Sequence, residues 1–89
     1  MDLSASDVMR KDNLVDSITA LRNQAEKLIE LESSGSRLYG GTTIRVAIAE
    51  TLKSMIVDCS DMADRYNGGQ WALDHRQWAS NLLRQYIAT

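Results

Sequence analysis

The stretch Thr42–Tyr66, TTIRVAIAETLKSMIVDCSDMADRY, decides the fold. Ile44, Ile48, Leu52, Met55, Cys59, Met62 and Tyr66 recur at helical spacings, and Ala49, Ile56 and Ala63 flank them. At 100° per residue this apolar arc covers roughly 140° of a helix, wide enough to pack against two neighbours. Thr42 or Thr43 offers a hydroxyl to cap its start, and Asn67-Gly68-Gly69 ends it.

Two further helices follow on either side. Upstream, Leu14, Ile18, Leu21, Ala25 and Leu28 repeat with Val15 and Ile29 beside them, and Ser4 with Asp7 makes a capping box. Gly35 terminates that segment. Downstream, Trp71, His75, Trp78, Ala79, Leu82, Leu83 and Tyr86 share a face. The expected fold is all-α, a three-helix bundle with short Gly-containing loops and helices at about 5–33, 42–66 and 70–88. Cys59, Leu52, Ile48, Leu21, Trp78 and Leu82 are its expected core. No alternating strand pattern competes anywhere.

The chain of 89 residues makes one expected domain, 1–89. Hydrophobic residues form 44% of it, enough for a core and too many for compositional disorder. Ten basic against twelve acidic residues give a net charge of −2, which argues against a dedicated duplex-DNA binder. A single cysteine excludes an internal disulfide, and a single histidine excludes a Cys/His zinc site. No apolar run is long enough to span a membrane, and Met1–Asp12 does not read as a signal peptide, so the cytoplasm is the expected compartment. No cofactor is expected.

Little in the sequence points to catalysis. Cys59 sits in the apolar stripe, where a thiol behaves as a small hydrophobe. His75, one turn from both Trp71 and Trp78, reads as a hydrogen-bonded core residue. Its functional reading is a pH-sensitive or stacking site. Asp58, Asp61 and Asp64 have the spacing that shares Mg²⁺ in all-α nucleotide hydrolases, but helical geometry turns them towards solvent. Such a hydrolase ranks third among the expectations.

The loop before the second helix is more suggestive. Residues 34–45 carry +2, whereas 1–33 carry −3 and 46–66 carry −2. Arg37, Tyr39, Gly40, Gly41, Thr42, Thr43 and Arg45 therefore form a candidate site for a small anion or nucleotide, at the positive end of a helix. Arg45 is unusual, because it falls inside the apolar arc. It must either snorkel outwards or pair with an acid such as Glu32.

Several apolar residues lie off their stripes: Val46 and Val57 on the second helix, Leu73 and Ile87 on the third, and Met9 and Leu31 on the first. The first four are the candidate interaction surface. No motif identifies a family, but in size and charge the chain resembles small phage-encoded or mobile-element modulators of host machinery. The leading expectation is a helical binding protein, an accessory regulator or inhibitor of a larger protein partner. A homodimer is also expected, centred on the Leu73/Ile87 side because the aspartates of the second helix would repel their copies.

Overall fold

A computed structural model describes residues 5–66 and 69–87. Helix α1 spans Ala5–Ser33, α2 Ile44–Arg65 and α3 Gly69–Ile87. Between α1 and α2 the chain forms strands β1, Leu38–Tyr39, and β2, Thr42–Thr43. The all-α, three-helix expectation holds. The hairpin is an addition to it, since two residues per strand are too few to show alternation. The expectations for Ser4, for Asn67-Gly68 and for the helix end at residue 88 fall outside the described residues.

The break after α1 is a Schellman motif. Gly35 takes φ +98°, its N–H donates to Glu32 O, and the Ser36 N–H donates to Leu31 O, both at 3.0 Å. The Gly-Gly pair serves a different geometry. Tyr39 pairs with Thr42 and Leu38 with Thr43, leaving Gly40 and Gly41 as a two-residue turn with φ +56° and +82°. Left-handed values at both positions are what a type I′ turn requires. The Gly-Gly sequence is accounted for by that turn.

Thr43 occupies the N-cap of α2 but makes no side-chain capping hydrogen bond, and the helix begins at Ile44 rather than Thr42. The Arg37 carbonyl takes over the task, accepting the Ile44 N–H at 2.8 Å. The hairpin thereby caps the helix it precedes.

Helix α2 is the centre of the bundle and packs along both α1 and α3. Ile44, Ile48, Leu52, Met55, Cys59 and Met62 are buried along it, facing Ile18, Ala25 and Leu28 of α1 and Ala72 and Ala79 of α3. The outer helices meet across this core through long side chains. The Arg22 guanidinium lies 4.3 Å over the Trp78 ring, and the Tyr86 hydroxyl donates to Glu32 at 3.2 Å. The result is a slab of 48 × 23 × 16 Å.

Three core expectations need correction. Leu21, Trp78 and Leu82 are half-buried and pack around the core rather than forming it. On α3 the buried line runs through Ala72 and Ala79, because two alanines let the helix approach α2 closely and rotate the tryptophans to its flank. Trp71 is accordingly exposed. Leu31, expected off the stripe, packs against the core, whereas Met9 is exposed.

Candidate functional site

The residues of the loop divide between two grooves. Arg37, Thr43 and Arg45 line a cavity of about 410 Å³ with Glu32 and Ser36. Tyr39, Gly40 and Thr42 face a separate groove of about 430 Å³ between α1 and α2, against Leu21 and Gln24. A two-residue strand turns its neighbours to opposite sides, so the hairpin does not gather these groups around one point. Gly41 is exposed at the turn.

Within the first cavity the charge of Arg45 is already matched. Arg45 Nη1 donates to Glu32 Oε2 at 3.0 Å, Arg45 Nη2 donates to the Gln85 carbonyl at 2.9 Å, and the guanidinium lies 4.5 Å over the Tyr86 ring. The other oxygen of Glu32 accepts the Tyr86 hydroxyl. Three helix ends are tied together by this junction: α1 through Glu32, α2 through Arg45, and α3 through Gln85 and Tyr86. Burial and the adjacent Glu32 carboxylate push the Tyr86 hydroxyl above its ordinary pKa. Pairing with Glu32, one of the two options for Arg45, is the one realised. Its position inside the apolar arc was the signal, but Tyr86 and Gln85 carried none.

The first N–H of α2 is likewise used, by Arg37 O. Arg37 itself is exposed and pairs with no acid among the described residues. The anion-binding capacity of this end thus rests on Arg37, the Ser36 and Thr43 hydroxyls and the helical N–H groups that follow Ile44.

The remaining candidates are structural in their surroundings. Cys59 is fully buried, and burial pushes its thiol up to about 11, away from thiolate chemistry. His75 Nδ1 donates to the Trp71 carbonyl at 2.9 Å, and its ring stacks on Trp71 with centroids 4.2 Å apart. Trp78 is covered by Arg22 instead, so His75 is half-buried beside Trp71 rather than a core residue between two indoles.

The aspartates of α2 do not act together. Asp58, expected to face solvent, accepts the Ser17 hydroxyl of α1 at 2.7 Å. The wide arc of α2 places α1 on that side, which the ideal wheel did not assign. Asp61 pairs with Arg65, and Asp64 is exposed. Among the described residues no group of three or more His, Cys, Asp or Glu is arranged to hold a metal ion.

Of the four candidate surface residues, Val46 and Ile87 come together. Val46 and Ile87 line the same groove of about 230 Å³ between α2 and α3, with Ala49, Glu50 and Lys53. Eleven residues along α2, at 100° each, bring Val57 to within about 20° of Val46. Fourteen along α3 bring Leu73 to within about 40° of Ile87. The groove sets Val46 beside Ile87, and the helical period carries each line along that side towards Val57 and Leu73. Val46 is 48% exposed, Val57 65%, Leu73 38% and Ile87 52%.

No family model matches the chain, and neither a curated protein nor a solved structure does. No helix among the described residues is long and apolar enough to cross a membrane.

Proposed function

We propose that this chain is a helical binding protein that acts on another protein through the outer face of α2 and α3, as an accessory regulator or inhibitor. One observation carries this reading: four aliphatic side chains, Val46, Val57, Leu73 and Ile87, stand exposed on a single face that spans two helices. Scattered exposed hydrophobes are ordinary, but four aligned on one side of two neighbouring helices, with Val46 and Ile87 sharing a groove, favour an association surface. Leu73→Glu places a charge in that surface without touching the core. A partner captured from the native lysate by the wild-type protein and lost by Leu73→Glu supports the reading. Equal capture by both proteins refutes it.

The second reading, a small anion held at the Arg37–Arg45 loop, is favoured by the 410 Å³ cavity and by the unpaired Arg37. It ranks lower because Glu32 shares that cavity and Arg45 is committed to Glu32 and Gln85. Thermal-shift measurements with phosphate, nucleotides and cyclic dinucleotides test it. Stabilisation that Arg37→Ala abolishes supports an anion site; stabilisation insensitive to that change places the ligand elsewhere.

A further inference from the structure

Helix α2 packs against α1 on one side and α3 on another, and along the middle of its remaining face runs a ridge of exposed residues, Val46, Glu50, Lys53 and Val57. Their spacing is four, three, four, the interval that keeps successive residues on one seam of paired helices. The order of chemistry along the ridge is apolar, acidic, basic, apolar. It is therefore complementary to itself when reversed. We propose that the occupant of this ridge is a second copy of the chain, in a two-fold dimer whose α2 helices run antiparallel and cross between residues 51 and 52.

In that arrangement Val46 meets Val57 of the second copy, and Glu50 meets its Lys53, each contact occurring twice. A parallel pairing sets Glu50 against Glu50 and Lys53 against Lys53, which charge repulsion disfavours. Neither Glu50 nor Lys53 makes an ion pair among the described residues. Both are exposed, so both are open to a partner. The groove beside the ridge supplies the shape. Val57, the most exposed of the four outer-face aliphatics, is set opposite the groove that Val46 and Ile87 line.

The aspartates do not oppose this dimer. With a rise of 1.5 Å per residue, antiparallel pairing about residues 51 and 52 leaves the two copies of Asp64 roughly 37 Å apart along the axis. Like charges lie at opposite ends of the interface rather than at its centre. The dimer rests on the reading that the α2/α3 face binds protein, and it names what covers the α2 half.

Charge exchange tests it. Light scattering and sedimentation are expected to give the wild type a mass of about 20 kDa, twice the 10.0 kDa of one chain. Glu50→Lys sets a new lysine against Lys53 of the other copy, and Lys53→Glu sets two glutamates together. Each is expected to weaken the dimer about tenfold or more. The double exchange, E50K with K53E, restores opposite pairs and the wild-type mass. The sharpest arm mixes the two single variants: one carries only lysines on the ridge and the other only glutamates, so they form a heterodimer.

All four side chains at issue are exposed, and circular dichroism checks that each variant folds. A wild type that stays near 10 kDa across a wide concentration range overturns the dimer. So do single variants that dimerise normally, or a mixture that fails to associate. The lysate experiment with Leu73→Glu is separate, so a monomeric chain can still bind another protein through this face.

Discussion

Replacing Arg45 with alanine removes a guanidinium that contacts two other helices at once. Its ion pair with Glu32 is partly exposed, at 51% for Arg45 and 25% for Glu32, and contributes about 0.2–1 kcal/mol after solvent screening. Its stacking over Tyr86 adds about 0.5–1 kcal/mol, and its hydrogen bond to Gln85 O about 0.5–1.5 kcal/mol. These share one side chain and do not add fully, so the expected loss is about 1–3 kcal/mol. For a chain of this size that lowers Tm by something of the order of 10 °C. Thermal and urea melts followed by circular dichroism measure it, and a cycle with Glu32→Gln isolates the ion pair. High salt is expected to reduce only that component. An Arg45→Ala protein that melts with the wild type, or above it, refutes the structural role and leaves the guanidinium available to a ligand.

Leu52→Ala empties a fully buried position at the middle of α2 and is expected to cost about 2–5 kcal/mol in urea melts, a large share of the stability of a small domain. Cys59 in the native protein is expected to resist thiol reagents, reacting only as the chain unfolds. Because burial raises its pKa from 9.0 to about 11, the folded state holds the thiol proton more tightly than the unfolded state. That contribution is intact below pH 9 and lost as the pH rises to about 11, and Cys59→Ala is expected to flatten this alkaline decline. Gly41→Ala, at φ +82°, is expected to cost about 1 kcal/mol and to speed amide exchange at Ile44, whose N–H the hairpin holds. Gly40→Asn suits a type I′ turn and is expected to be near neutral. Equal exchange in both variants contradicts the capping role of the hairpin.

The three helices were legible because each writes its period over five turns or more, and glycine marks the breaks. What sequence pattern could not supply was orientation. An apolar wheel centred on Trp71 and His75 describes α3 well by hydrophobicity, yet the helix is seated on Ala72 and Ala79 because small residues decide how closely two backbones approach. Asp58 reads as solvated on an ideal wheel, and its bond to Ser17 depends on where α1 crosses. The hairpin left no periodic trace, so Gly-Gly read as freedom for a ligand when it is the requirement of a turn. Arg45 was legible as an anomaly. Glu32 was legible as its acid partner, but Tyr86 and Gln85 were not, since they lie about forty residues away and nothing local pairs them with it.

The two valines on the outer ridge pose the question of function most directly. Helix α2 has one face with no neighbouring element among the described residues, and solubility alone would fill it with Lys, Glu, Gln or Ala. Those residues also favour the helix more than valine, by up to about 0.6 kcal/mol per position. Val46 and Val57 thus weaken the helix locally, and at 48% and 65% exposure they gain little from packing within the chain. Glu50 and Lys53 between them are good helix formers, so the ridge is not simply a tolerant surface filled at random. A second chain that buries both valines while pairing both charges offsets that local cost, and only the antiparallel register does both at once. Replacing Val46 and Val57 together by alanine separates the two effects. If the ridge is a dimer contact, the double variant is expected to raise the stability of the isolated chain at high dilution and to abolish association at high concentration. Should the variant gain stability and still associate as the wild type does, the valines are not at the interface and the ridge has no occupant of this kind.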